Sequence, residues 1–291
     1  MKKILLIVAT IFATTLTASA QFSGGSGTQT DPYQITSKAD MLTLRDSTNY
    51  GVPYWSQGKY FKLMNDITDS LNWTGIGFSA DSNCFYGVFD GNNHTIYLNS
   101  DTSGIFIWNY GIIENVITAG RCEQTPICGV NGLQAIPGFT GIIRNCHNTA
   151  NVTTSGTFIG AAGIVLDNSG EVYNCSNVGT ITDEYTNGAG GIASISVQGA
   201  ITNCVNYGLI RCQTMVGGIV AFGGGTISKC INTNAVEGVT NVGAIIGING
   251  GCTITDCFYD IQMCKYKAVD NQDHPGVTGL PTHLLMDELA K

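Results

Sequence analysis

The chain has 291 residues, of which 43% are hydrophobic and only 12% are charged, and it contains 38 glycines. A disordered chain needs high charge and few apolar residues, so this composition excludes that class. The glycines follow no Gly-X-Y period, which excludes collagen. The net charge of −8 and the lack of a basic stripe argue against a nucleic-acid partner. The composition predicts a globular chain rich in turns.

Residues 1–20 have the pattern of a secretory signal peptide. Two lysines, Lys2 and Lys3, precede an apolar run that ends in an Ala-Ser-Ala cleavage site. The run is too short for a spanning helix, and no later stretch approaches about 20 apolar residues. No lipid-attachment cysteine follows the cleavage site. We therefore expect an exported protein without a membrane span, located at the cell surface, outside the cell or in the periplasm.

Residues 21–80 are predicted to form an N-terminal cap region. Ser37 and Asp40 have the spacing of a capping box, and apolar residues follow until a stop near Gly51, which predicts a short helix. A strand is predicted around residues 60–64. A helix at this place would cover the open end of a stack of strands.

Residues 81–264 repeat about every 28 residues. Each copy carries a Gly-x-Ile-x-Asn-Cys-x-Asn motif or a close variant, and a Gly-Ile-Val motif falls between copies. We call the motif cysteines the repeat cysteines and the final asparagines the repeat asparagines. The repeat cysteines are Cys146, Cys175, Cys204, Cys230 and Cys257, and the repeat asparagines are Asn148, Asn177, Asn206 and Asn232. Every copy thus holds at least two short strands separated by turns.

A unit of such short strands cannot bury its own apolar face, whereas stacked units share one core. The period is too short for a propeller blade, and the leucines and helix of a leucine-rich repeat are missing. The sequence therefore predicts an all-β fold, a right-handed parallel β-helix of about six to seven coils with a short N-terminal helical cap. The tail, residues 265–291, is predicted to be a C-terminal tail or a second cap.

Equivalent residues of a parallel β-helix stack about 4.8 Å apart. The repeat asparagines are predicted to line a turn, because asparagine tolerates left-handed backbone and stacked amides can bond between coils. The repeat cysteines are predicted to be buried thiols, since a disulfide needs a closer approach of the Cβ atoms. Cys122 and Cys128 lie in a polar insertion and are candidates for a loop-closing disulfide. No metal and no other cofactor is expected.

Motifs along nearly the whole mature chain resemble those of a known family. They include the runs GGSGTQTDPYQI and FYGVFDGNNHTIYL, the repeat VGGIV followed by GTISKC, and the ending CFYDIQMC. These are similar to bacterial surface proteins with the GLUG motif, best known from gut and oral Bacteroidota. The resemblance implies an adhesin-like role, and such repeats also accompany immunoglobulin A-cleaving zinc peptidases. The H-E-x-x-H motif of those peptidases is absent from this sequence.

Aromatic residues are the candidates for ligand binding. Tyr54 and Trp55 lie in a predicted loop and could stack on sugar faces, and Trp73 and Trp108 are further candidates. The alternative is that these rings seal the cap against the first coil.

A glycosidase would need two carboxylates on either side of the scissile bond. The pair Asp183 and Glu184 is interpreted as a solvated edge, and Asp90 with His94 as a tight Asp-Gly turn. A lyase would need a basic residue near an acidic cluster, and Arg144 has no such cluster beside it in the sequence.

The sequence thus predicts an adhesin-like binding protein that contacts glycans or host or matrix surface proteins. Its stacked faces and loops such as residues 121–140 would form the contact surface. The alternatives are a carbohydrate-active β-helix enzyme, either a polysaccharide lyase or a glycoside hydrolase, and an envelope scaffold without a site. Converging carboxylates beside a basic residue would favour the enzyme, and a smooth Asn/Thr/Ser face would favour binding. The oligomeric state is not set by the sequence.

Overall fold

A computed structural model describes residues 22–71, 74–78, 82–99, 104–132, 140–154, 160–184 and 188–290. The predicted signal peptide, Trp73 and residues 133–139 of the predicted contact loop lie outside these ranges. Within them, short strands pair in parallel from one coil to the next. The predicted fold class, a parallel β-helix with an N-terminal helix, is confirmed.

The strands of the described residues form four parallel sheets, numbered here 1 to 4. Sheet 1 has nine strands: Tyr33–Ile35, Tyr60–Leu63, Val88–Asp90, Ile112–Glu114, Ile142–Arg144, Glu171–Tyr173, Ala200–Thr202, Thr226–Ser228 and Thr253–Thr255. Sheet 2 has thirteen: Ile67–Leu71, Thr95–Asn99, Ile117–Cys122, His147–Asn148, Asn151–Thr154, Ser176–Asn177, Ile181–Asp183, Val205–Asn206, Ile210–Arg211, Ile231–Asn232, Val236–Glu237, Cys257–Asp260 and Val277–Leu280. Sheet 3 has six: Phe106–Asn109, Cys128–Asn131, Val165–Asn168, Ala193–Ser196, Val220–Gly223 and Ile246–Asn249. Sheet 4 has four: Ala161–Ala162, Ala189–Gly190, Thr214–Gly217 and Thr240–Gly243.

The β-helix begins earlier in the chain than the sequence predicts. Sheet 1 already includes Tyr33–Ile35 and Tyr60–Leu63, and its nine strands in the described residues exceed the six to seven coils expected. These first coils escape the repeat search because their inward positions hold Phe61 and Phe89, where later coils hold isoleucine or valine. A helix inserted between the first two strands also breaks the period.

One helix lies near each end of the described chain. Helix α1 spans Lys38–Tyr50 and begins at a capping box, in which the Ser37 hydroxyl accepts the N–H of Asp40 and the Asp40 carboxylate accepts the N–H of Ser37. Helix α2 spans Thr282–Leu289, buries Leu285 and packs beside the last coil. The C-terminal tail therefore folds back on the solenoid.

The core is a column of equivalent side chains. From Val88–Asp90 onward the middle residue of each sheet 1 strand is buried, and Ile143, Val172 and Ile201 lie in register. The repeat cysteines form a second buried column beside it. Each of their thiols donates to the backbone carbonyl two residues earlier, at distances of 3.2–3.4 Å. Burial raises the pKa of the Cys175 thiol, because the buried surroundings disfavour a thiolate.

None of the eleven cysteines, all of which lie within the described residues, forms a disulfide. The candidate bridge between Cys122 and Cys128 is therefore absent. Cys122 ends a strand of sheet 2 and Cys128 begins a strand of sheet 3, so the turn between the sheets separates them. Both thiols are buried, and Cys128 donates to the carbonyl of Val130 at 3.2 Å.

The repeat asparagines form a buried amide ladder along sheet 2. Asn148 Nδ2 donates to Asn177 Oδ1 at 2.7 Å, and the next two rungs, toward Asn206 and then Asn232, are 2.8 Å each. None of the four has left-handed backbone, so that part of the prediction is wrong. Their amides instead bond the backbone two residues on, as Asn148 does with the N–H and the carbonyl of Ala150, and this requires an inward side chain.

One set of left-handed positions lies one residue before Val116 and before each repeat cysteine, at the corner between sheets 1 and 2. The residues at these corners have φ of 52–55° and are Asn115, Asn145, Asn174, Asn203, Lys229 and Asp256. Among non-glycine residues, asparagine and aspartate tolerate this conformation best. The four asparagines form an outer ladder, the corner ladder, which is described below.

Candidate functional site: a groove across sheet 1

The structure places the two predicted ligand-binding residues in different surroundings. The Trp55 ring packs against Phe61, with 5.9 Å between centroids, and the Lys59 ammonium lies 4.8 Å from its centre. Trp55 is thus engaged within the N-terminal packing. Tyr54 is 45% exposed, and its ring lies 5.1 Å from that of Tyr86. The structure therefore brings Tyr54 to the surface and leaves Trp55 mainly in a packing role.

A shallow groove crosses the outer face of sheet 1 in the N-terminal coils. It consists of two adjoining hollows of about 320 Å³ each. Both hollows share Tyr60, Val88 and Ile112, which are the first outward residues of three neighbouring strands and lie in register. These three side chains form an apolar floor along the solenoid axis.

Aromatic rings border the floor on one side. Tyr86 and Tyr110 line one hollow, and their rings stack at 5.5 Å with an interplanar angle of 14°. Trp108 packs against the same cluster. With Tyr54 next to Tyr86, three tyrosine rings follow one another along the axis. The groove therefore has a ribbon of rings beside its apolar floor.

Four charged side chains and one tyrosine border the other side, and we call these five residues the polar wall. Its members are the third residues of successive sheet 1 strands: Lys62, Asp90, Glu114, Arg144 and Tyr173. Lys62 lies 3.2 Å from Asp90, and Arg144 contacts Glu114 through Nε at 2.6 Å and through a terminal nitrogen at 2.5 Å. Arg144 also donates to the Tyr173 hydroxyl at 3.1 Å. The polar wall is thus a fixed row of paired charges.

The charge state of Asp90 indicates whether the polar wall suits ligand recognition or proton transfer. Burial by itself raises the pKa of Asp90, but hydrogen bonds from the Asn115 amide and the Asn92 N–H, together with Lys62, lower it overall. Asp90 is therefore an ionised acceptor, whereas the general acid of a glycosidase needs a raised pKa. Glu114 is likewise held by two contacts to Arg144. The arrangement suits ligand recognition better than proton transfer.

Several sequence interpretations need correction here. Arg144 lacks an acidic neighbour in the sequence, yet the structure places it against Glu114, 30 residues earlier. The repeat alignment contained the signal, because both residues occupy the same position of the motif. Asp183 is not a solvated edge: it is buried and accepts a hydrogen bond from Thr154 at 2.8 Å. His94 contacts Asp66 at 3.1 Å, while Asp90 belongs to the polar wall.

The Asp-Gly segment after Asp90 is a tight turn, as predicted. Asn92 and Asn93 have φ of 51° and 60°, and the Asn92 N–H bonds the Asp90 carboxylate at 2.8 Å. Among the described residues, no three metal-ligating side chains cluster together. No helix in that part of the chain is long and apolar enough to cross a membrane.

Comparison with known proteins finds similarity in fold to a bacterial protein and similarity in sequence to an archaeal one. No family model matches the chain. The fold is similar to a Bacteroides ovatus protein provisionally assigned as an immunoglobulin A1 protease, with a TM-score of 0.72 and 23% identity over 93% of this chain and 90% of that one. The sequence is 29% identical to halomucin of Haloquadratum walsbyi over 165 residues, which are 50% of this chain and 2% of halomucin. The chain thus spans a small fraction of halomucin, and the structural likeness shows a shared fold.

Proposed function

We propose that this chain is an exported surface protein that binds glycan chains in the groove across sheet 1. The observation that carries the proposal is the pairing of an apolar, tyrosine-bordered floor with a fixed row of charged hydrogen-bonding groups. The CH faces of sugars pack on aromatic and aliphatic surfaces, and their hydroxyls bond to charged side chains. Because the wall is held by its own ion pairs, little ordering is needed when a ligand binds.

Export and family membership are parts of the same proposal. The signal-peptide pattern of residues 1–20 supports export. The repeat motifs support a place among GLUG-motif surface proteins of the Bacteroidota, and the likeness to a Bacteroides ovatus protein agrees with that origin. The protease assignment of that relative is not carried over, because the H-E-x-x-H motif is absent from this sequence.

A glycan array followed by calorimetry tests the proposal. We expect Tyr60→Ala to weaken binding of the best array ligand by roughly tenfold or more, since it removes a ring from the floor. Thr253→Ala is the matched control, because Thr253 has the equivalent position in the last strand of sheet 1. Tyr54→Ala tests the loop predicted from the sequence. Unchanged affinity in Tyr60→Ala, or binding only to host or matrix proteins, would contradict a glycan groove.

A carbohydrate-active enzyme is the second candidate. Asp90 and Glu114 lie on neighbouring strands of one face beside two basic residues, which is the arrangement that favours an enzyme. Release of reducing sugars from a polysaccharide panel, abolished in Glu114→Gln, would support it. The lowered pKa of Asp90 and the ion pairing of Glu114 favour binding without turnover.

A further inference from the structure

The corner ladder ends abruptly in the C-terminal half of the solenoid. Asn145 Nδ2 donates to Asn115 Oδ1 at 3.2 Å, Asn174 to Asn145 at 3.2 Å, and Asn203 to Asn174 at 2.8 Å. The next corner holds Lys229, which has no amide to continue the ladder. The Asn203 Oδ1 atom therefore accepts no hydrogen bond from any described residue.

Lys229 is a poor structural choice for this corner. Its φ of 53° lies in the left-handed region, which is unfavourable for an L-residue with a Cβ and which asparagine tolerates better. Its exposed ammonium makes no ion pair and no hydrogen bond within the described part of the chain. A residue that is unfavourable for the local backbone and makes no stabilising contact is expected at a functional position.

A hollow of about 620 Å³ opens at this break, roughly twice the volume of either hollow of the groove. It lies between the corner and helix α2. Its lining residues are Thr202, Asn203, Lys229, Ile231, Asp256, Phe258 and Glu288. Ile231 and Phe258 supply apolar surface, and the other residues supply donors and acceptors of both charge signs. We call it the corner hollow.

We propose that the corner hollow is a second binding site, distinct from the groove, which takes a neutral sugar unit. Lys229 is a donor, while Asp256 and Glu288 are acceptors, so the lining matches hydroxyl groups that both donate and accept. The two carboxylates disfavour an anionic ligand, and Lys229 disfavours a cationic one. The Phe258 ring provides a surface for the CH face of a sugar.

Lys229→Asn distinguishes a role of Lys229 in ligand binding from a role in stability, because asparagine is the residue at the preceding corners of the ladder. We expect the variant to raise the thermal midpoint by about 2 °C through relief of the left-handed lysine. We also expect it to weaken binding by roughly tenfold, since it removes a charged hydrogen bond. The probes are methyl α-mannoside, methyl β-galactoside and methyl β-N-acetylglucosaminide, followed by saturation-transfer NMR on the full mature chain.

Two further variants complete the experiment. Asn145→Lys places a lysine at an equivalent corner whose hydrogen-bond partners, Asn115 and Asn174, do not line the hollow, and it should lower the thermal midpoint while leaving binding unchanged. Phe258→Ala should weaken binding. All three are measured in the Tyr60→Ala background, so that the remaining signal reports the corner hollow and not the groove. Absence of contact with all three glycosides, or equal binding in Lys229→Asn, would overturn the proposal without affecting the groove.

Discussion

Asn115 donates its Nδ2 to Asp90 Oδ1 at 2.9 Å, and this bond joins the corner ladder to the polar wall of the groove. Each amide of the ladder donates its Nδ2 to the residue of the preceding coil, so the series of hydrogen bonds ends on the Asp90 carboxylate. Lys62 holds the same carboxylate at 3.2 Å. A continuous series of hydrogen bonds therefore connects Asp90 of the wall with corner residues several coils away.

Substitutions at Asn145 test the conformational demand of the corner. Asn145→Gly keeps the left-handed backbone and loses only the amide, so we expect a loss of about 1 kcal/mol in the free energy of unfolding. Asn145→Val adds a β-branched side chain that the left-handed region disfavours, and we expect about 2–3 kcal/mol. Urea unfolding measures both. Equal losses for glycine and valine would mean that the backbone conformation carries no cost.

The buried amide ladder predicts a larger effect in its middle than at its end. Asn177→Ala leaves the Nδ2 of Asn148 and the Oδ1 of Asn206 without their partners inside the core. We expect about 3–5 kcal/mol of destabilisation, since each buried unmade bond costs about 1–3 kcal/mol. Asn232→Ala, at the end of the ladder, removes the partner of one amide, that of Asn206, and should destabilise the protein by about half as much. The comparison is made by urea unfolding, and similar losses would argue against a cooperative ladder.

The cap of helix α1 predicts an acid-sensitive contribution to stability. Burial alone raises the pKa of Asp40, but donors from Thr36, Ser23 and Ser37 lower it overall. A lowered folded-state pKa gives stability that is fully present above the unfolded value of about 3.9 and is lost as the pH falls through the folded value.

Asp40→Asn should therefore lower the thermal midpoint at neutral pH, by a loss of roughly 1–2 kcal/mol, and the difference from the wild type should shrink near pH 3. Asp46→Asn on the same helix is the control, because Asp46 is exposed and pairs with Arg45 at the surface. Differential scanning fluorimetry across this pH range gives the result. A difference that grows toward acid pH would reverse the predicted sign.

The rate at which each thiol reacts with a labelling reagent should depend on its burial. Cys252 is half-buried, and the other ten cysteines are buried. Burial raises the pKa of Cys252 to about 11, so native-state labelling should be slow at neutral pH and faster in alkali, where the thiolate forms. Cys252→Ser should abolish labelling of the native protein, and denaturation should then expose the repeat cysteines. Rapid labelling of any repeat cysteine before unfolding would refute the buried column.

The architecture was accessible from the sequence where the repeat is regular. The period of the Asn-Cys motif predicts stacked coils, and the capping box between Ser37 and Asp40 predicts helix α1. The first coils were hidden because Phe61 and Phe89 fill the inward positions.

The groove was harder to foresee because its parts are far apart in the chain. Glu114 and Arg144 meet only because strands about one repeat apart become neighbours. Aligning the motif copies puts both at one position, so the ion pair was readable in principle. The sequence predicts the left-handed corner at Asn148, but the structure places it at Asn145. Both asparagines of the motif are residues that favour turns, and only their backbone dihedral angles distinguish them.

The two amide ladders also bear on how the length of such a chain can change. Each middle coil offers the next one the same corner asparagine, the same thiol and the same buried amide, and these recur at intervals of 29 residues. Removing residues 175–203 would join Asn174 to Cys204 and recreate the original junction, with every rung still matched. Loss or duplication of a whole coil at this junction would therefore leave both ladders matched. Coils of another length are also accepted, since Asn206 and Asn232 lie 26 residues apart and still form a rung.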